Sequence, residues 1–515
     1  MNSGRRKDMT EWLGYRWLEA RYGVTAVQPF RIESAIAGSR RTVRELGFTK
    51  EFYQPTMKPA ETLAGHLTFA LKHEGVHLEF LARLFAVLPP EELDAWVRSE
   101  PTGQYARRAC FLYEYLTDRR LTFGGVEAGS YVAALDQEDF LTASIPVAVS
   151  RWRVRDNLPG TREWCPLVAR TDRVRAAEEY DCASQIAKLG AEFGTELLQR
   201  SAVWLTLKES RASFAIESEG DAQDRVQRFA AAMERHCGRY EDPLSESALS
   251  ELQAAILGPR AMRYGLRRSP VFVGETARMQ PVVHYVAPHW DDLAGLLAGL
   301  RQFAVRTRSR SAILRAAALS FGFVYVHPMS DANGRISRFL INDTLRRDGA
   351  VPAPFVLPVS ATITSTPAHR HGYDKVLESF SRELMRTYAA HWRFGHEKTG
   401  PDGVRYNLEF DAYQEALPAW RYPDLTGHAE YLAQVIRETL EQEMHEEATF
   451  LRNLRKAREG IKLVIEGPDP DIDRIIRSIR GNAGKVSAKL QAEFPQLEDS
   501  AVASAVVEAV ATAFA

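Results

Sequence analysis

Cysteine is scarce in this 515-residue chain: Cys110, Cys165, Cys182 and Cys237 stand far apart, without a CxxC pair. That spacing excludes a disulfide-stapled scaffold and zinc ribbons, and it fits reduced structural thiols in a cytosolic protein. An excess of charge is missing too, because 66 Lys and Arg stand against 67 Asp and Glu for a formal net charge of −1. No global field draws such a chain to nucleic acid or to an anionic membrane, so any contact of that kind has to come from a local cluster. Long apolar runs are absent: nothing approaches the roughly 18 residues of a membrane span. The first ten residues are polar and charged, without the apolar core of a secretory leader. The expectation is a cytoplasmic protein with no membrane contact.

Core material is present in quantity, with 45% hydrophobic residues, and a prior of roughly 100 to 200 residues per domain suggests about three domains. From Thr10 to about Leu121 the apolar positions recur at helical spacing, as in Leu63, Leu67, Ala70 and Leu71 and again in Leu78, Leu81, Leu84 and Phe85. Residues 122–157 are richer in Gly and Val and read as a hairpin or a long excursion. Two β-like runs at 270–275 and 281–286, joined by a polar tip and ended by Pro288, read as a hairpin. Helical patterning then continues to about Phe394 and resumes over 425–465. A Gly467-Pro468-Asp469-Pro470 break precedes a last helical module. Together these features predict a mainly α fold, with a mostly helical segment at 1–190, a central domain at 191–400 and a helical module at 401–515.

The most informative stretch is His327-Pro328-Met329-Ser330-Asp331-Ala332-Asn333-Gly334-Arg335-Ile336-Ser337-Arg338, set between an apolar helical run that ends at Val326 and another that carries Ile336, Phe339 and Leu340. Histidine is the side chain whose ordinary pKa suits a general base near neutral pH, which makes His327 the candidate base. Asp331 is a single carboxylate suited to Mg²⁺, which takes one or two protein carboxylates and fills its shell with phosphate oxygens and water. Ala332-Asn333-Gly334 allows a tight turn whose amides point at an anion where the next helix begins. Arg335 and Arg338, three apart on that helix, place two guanidiniums on one face, as a polyphosphate requires. Each residue alone has a plainer reading as a helix cap or a solvated face; the coincidence of seven in twelve positions is what points to phosphate chemistry.

This stretch closely resembles the signature of the Fic (filamentation induced by cAMP) family, H-x-F-x-D/E-A/G-N-G/K-R-x-x-R. It matches at His327, Asp331, Ala332, Asn333, Gly334, Arg335 and Arg338, with Met329 in place of the usual Phe. The resemblance implies a Fic-type helical core with a short β-hairpin flap at about 268–288, which clamps a target protein's segment beside the nucleotide. It also implies transfer of AMP from ATP, with Mg²⁺, to a Ser, Thr or Tyr hydroxyl of that target. His327 would then be the base and Asp331 the metal ligand, while Asn333, Gly334, Arg335 and Arg338 would hold phosphates and Tyr373 would lie near the nucleotide base. Ser213-Phe214-Ala215-Ile216-Glu217 is similar to the family's inhibitory motif S/T-x-x-x-E-G/N, with Ser218 where Gly or Asn is usual. That likeness implies an inhibitory helix at about 199–218, in which Ser213 and Glu217 share a face and Glu217 competes for Arg338. Transfer of UMP, phosphate or phosphocholine, removal of AMP, and a non-catalytic regulatory or DNA-associated role are the alternatives. A homo-oligomer is left open, and so are nucleic-acid contacts through Arg474, Arg477, Arg480, Lys485 and Lys489 of the last module.

Overall fold

The structure is a computed structural model that describes residues 10–45, 48–217, 223–259, 261–277 and 280–515. It is mainly helical, with four small sheets among the described residues. No described helix is long and apolar enough to cross a membrane. All four cysteines are free and buried, and burial pushes the thiols up, Cys165, Cys182 and Cys237 each to about 12.

The chain visits two compact units in alternation instead of filling consecutive domains. One comprises residues 1–180, 236–348 and 367–433; the other comprises 181–235, 349–366 and 434–515. The cuts expected near 190 and 400 therefore do not coincide with the division. Trp164 shows how residues 1–180 pack with 236–348 in the first unit. Its buried side chain lies against two helices, Leu293–Arg306 and Ala312–Val326, and a Cβ on Gly299 or Gly322 would come within 2.4 Å of it. Glycine at those two helical positions is the slot for the indole. Arg306 and Arg310 add bonds to the carbonyls of Leu158 and Thr142, 3.0 Å each.

The helical reading of residues 10–121 misses a three-stranded sheet of Ile32–Ile36, Arg41–Glu45 and Phe48–Tyr53, with the last strand in the middle. These strands are short and charged, and the second is exposed along its whole length. Such pieces give little alternation to read. A second correction falls after the helix Pro367–Thr387, where Trp392–Thr399 and Arg405–Phe410 pair as a hairpin instead of extending the helical pattern to Phe394. The excursion at 122–157 does contain short strands, Val132–Ala133, Val147–Val149 and Val154–Asp156.

In the second unit, the helix Thr195–Ile216 meets Val359–Thr364 through a buried carboxylate. Glu209 accepts from the Ser360 amide at 2.7 Å and from its hydroxyl at 2.6 Å, satisfying the start of that short helix. The C-terminal helices Met444–Lys462, Asp469–Gly481, Ala488–Glu493 and Ser500–Phe514 gather around Ile461, Ile472, Ile475, Ile476, Leu490 and Val506.

Candidate active site

The apolar helix Ala312–Val326 ends in a left-handed residue, His327, at φ 49° and ψ 54°. Histidine adopts that conformation more readily than most side chains, and the turn brings the half-buried ring back over its own helix end. Its Nδ1 lies 3.2 Å from the Val324 carbonyl. A carbonyl only accepts, so Nδ1 holds the proton in this contact, and Nε2 is left with the lone pair that a general base needs.

The loop that follows is held from inside by one side chain. Asn333 accepts from the Met329 amide and donates to the Met329 carbonyl, both at 2.9 Å, and is itself buried. Met329 is fully buried, so it anchors the loop in the core as the larger aromatic would. With its amide group engaged on Met329, Asn333 offers a phosphate its backbone N–H alone. Within the expected turn Ala332-Asn333-Gly334, Ala332 takes the left-handed conformation at φ 68°, and Gly334 already lies inside the helix Asn333–Arg347. A left-handed alanine carries backbone strain of about 1 to 2 kcal/mol. Helix geometry leaves the first amides of Asn333–Arg347 without intrahelical acceptors, an arrangement that suits an anion.

Arg335 and Arg338 are both buried, at 3% and 1% exposure, which rules out a solvated face for them. An Nη2 of Arg335 reaches Asp331 Oδ1 at 3.2 Å. The Asp331 side chain is 57% exposed, and among the described residues its Oδ2 takes no hydrogen bond. One accessible carboxylate beside an amide-lined helix end fits Mg²⁺ that completes its shell with phosphate and water. Among the described residues no cluster of three or more His, Cys, Asp or Glu side chains offers a metal site made of protein alone.

Three residues that the sequence reading passed over hold this loop from outside. Gln253, on the helix Glu246–Leu257, donates to the Asp331 carbonyl at 3.0 Å and accepts from the Gly265 amide at 2.6 Å. Arg267 donates from Nε to the His327 carbonyl and from Nη2 to the Pro288 carbonyl, both at 2.7 Å. Burial brings the Arg267 guanidinium down to about 10, which still leaves it charged at neutral pH. Tyr285 donates its hydroxyl to the Tyr325 carbonyl. No local pattern marks such residues, because a buried arginine and an exposed one read alike in sequence.

The hairpin expected at about 268–288 is formed by Phe272–Ala277 and Gln280–Val286, with a register shift between Val273 and Gly274. A Cβ on Gly274 would lie 2.3 Å from the Val282 carbonyl, so glycine is needed at that irregularity. Phe272, Val273 and Val282 are exposed on it. Tyr373 is 7% exposed, its ring centroid 6.4 Å from that of Phe321 and 6.3 Å from that of Tyr431; it is packed as a core residue. In the second unit Ser213 is fully buried, while Glu217 is exposed and caps the helix Thr195–Ile216 instead of lying within it. Ser218 lies outside the described residues.

Residues 243–345 match the family described as the Fic/DOC family. Among solved structures, a Fic family protein from Desulfovibrio desulfuricans G20 is similar at 16% identity over 61% of this chain and 88% of its own, with a TM-score of 0.36. A Fic domain containing signaling protein from Bacteroides thetaiotaomicron VPI-5482 is similar at 16% identity over 52% of this chain and 98% of its own, with a TM-score of 0.33. No curated protein matches the chain. The segment that carries Gln253, the hairpin, His327 and both buried arginines is thus the part of the chain that matches the Fic/DOC family.

Proposed function

We propose that the protein is a nucleotidyltransferase that moves AMP from ATP to a hydroxyl of a target protein. The observation that carries this reading is the setting of His327, whose Nδ1 is turned to the Val324 carbonyl at the end of one helix while six residues on the next helix begins with two buried arginines. His327 takes the proton from the attacking hydroxyl, whose oxygen forms the bond to the α-phosphorus while the bond to the pyrophosphate oxygen breaks. Arg335, Arg338 and the first amides of Asn333–Arg347 stabilise the charge that grows on phosphate oxygens, and this is the largest contribution to the rate. Asp331 would hold Mg²⁺, which when bound neutralises phosphate charge. Glu217 acts as the inhibitory carboxylate.

The test is label transfer from α-³²P-ATP. His327→Ala should lower the rate about 100-fold to 10,000-fold, and transfer at the native rate would exclude His327 as the base. Glu217→Gly should raise self-labelling; an unchanged or lower rate would remove Glu217 from the scheme. GTP, UTP and CDP-choline run as parallel donors decide which group is carried.

A further inference from the structure

A helix leaves its last carbonyls without intrahelical partners, and at the end of Ala312–Val326 every one of them is accounted for. The Phe323 carbonyl takes the His327 amide at 2.9 Å. The Val324 carbonyl takes the ring of His327. The Tyr325 carbonyl takes the hydroxyl of Tyr285, and the carbonyls of Val326 and His327 take Arg267, the latter at 2.7 Å. Three of the five are thus satisfied by two side chains from outside the helix, and those two belong to the roots of the flap. Arg267 stands five residues before the first flap strand, and Tyr285 is the penultimate residue of the second.

The backbone repeats the connection. Arg267 donates its amide to the Pro328 carbonyl at 3.0 Å, and Ser330 donates to the Gly265 carbonyl at 3.1 Å, so the stalk of the flap is bridged to the loop across Leu266 and Met329. Arg267 also ties the two stalks to each other through the carbonyls of Ser269 and Pro288. A guanidinium at a helix C-terminus is favoured by the helix dipole as well as by its hydrogen bonds. The flap therefore cannot shift at its roots without uncapping the helix end that aims His327. Its outer part, with Phe272, Val273 and Val282 exposed, is where another chain has access.

We propose that Arg267 and Tyr285 are positioning residues that lock the flap and the His327 base into one unit, so that the seating of a target on the flap sets the alignment of the base. This rests on the transferase reading for its kinetic readout, and the exchange measurement below tests it independently of that reading. Neither residue touches the nucleotide or the hydroxyl; both act through the backbone of residues 325–327.

The experiment compares the native chain, Arg267→Lys and Tyr285→Phe, each alone and with Glu217→Gly. Tyr285→Phe removes one hydroxyl and keeps the buried ring, so it remains informative if Arg267→Lys fails to fold. Self-labelling at saturating α-³²P-ATP should slow about tenfold in Tyr285→Phe, with the half-saturating ATP concentration unchanged, and more in Arg267→Lys, which loses the fork that spans several carbonyls. Hydrogen exchange at the Arg267 and Ser330 amides should quicken by a similar factor in both variants. Faster exchange with an undiminished labelling rate would reduce both residues to structural ties and overturn the proposal, as would exchange identical to the native chain. Absence of labelling in the native chain and with Glu217→Gly would sink the transferase reading; the exchange result would still decide whether flap and loop are coupled.

Discussion

Among the helices of this chain that carry arginines three residues apart, two hold them in opposite surroundings. Arg335 and Arg338, on Asn333–Arg347, are almost wholly withdrawn from water. Arg474 and Arg477, on Asp469–Gly481, are both exposed; Arg474 pairs with Glu493, and among the described residues Arg477 has no ion pair. Burying a guanidinium costs several kcal/mol unless its donors are met. The two buried at one helix start are the charge that the proposed phosphate chemistry uses. The exposed pair needs no ligand to explain it, because its helix is already anchored by Ile472, Ile475, Ile476 and Ile479 on the other face. Spacing makes a candidate, and burial decides what the candidate is for.

Exchanging the two environments' roles is the sharpest test of that contrast. Replacing Arg338 by Ala should reduce label transfer about 100-fold to 1,000-fold, the scale of losing one donor to a developing phosphate charge. A smaller loss than that of an exposed arginine would dissolve the comparison. Acid should separate the regions next. Burial pulls the imidazole of His428, bonded to Tyr325 at 2.7 Å, down to about 4. Because its folded pKa lies below the unfolded value of about 6.5, its contribution is complete above pH 6.5 and is lost as the pH falls toward 4, in total about 3 kcal/mol. Residues 446–515 hold no histidine. Urea melts between pH 7 and 4 should therefore weaken the first unit in a histidine-dependent way, and His428→Gln should flatten that slope; an unaltered slope would place the acid response elsewhere.

A third measurement concerns the loop's inner clasp. Asn333→Ala leaves a buried amide and carbonyl of Met329 unmet, costing about 2 kcal/mol, readable as a lower urea midpoint, together with slower transfer. Retained stability would show that water replaces the clasp. The smallest effect is expected from Arg474→Ala with Arg477→Ala: stability within about 0.5 kcal/mol of the native chain and an unchanged transfer rate. A salt-sensitive shift of duplex DNA by the native chain that this double variant abolishes would instead give the exposed pair a ligand.

What the sequence made legible follows the same line. The twelve residues from His327 to Arg338 are contiguous, and the flap has alternating β-branched residues with punctuation at each end, so local patterns were enough for both. Residues joined by long-range contacts left no such trace. Arg267 lies 60 positions from the carbonyl it holds, and Gln253 is a polar residue on a helix of ordinary pattern. The tight turn expected over Ala332-Asn333-Gly334 is made by the first of the three, Ala332. The early sheet was hidden by strands too short and too charged to alternate. The packing of Trp164 on Gly299 and Gly322, far along the chain, is likewise a long-range contact without a local pattern.

That indole sets a limit on dissection. Gly299 and Gly322 form a notch shaped for Trp164, and a fragment starting near residue 190 would open the notch to water and strip apolar helix faces of their cover. Such a fragment would carry every residue of the proposed chemistry and still be a poor carrier of it, since newly bared apolar surface favours self-association. The segment of the proposed chemistry is thus not a portable cassette, and a graft of it onto another protein would have to bring Trp164 and the turn that presents it.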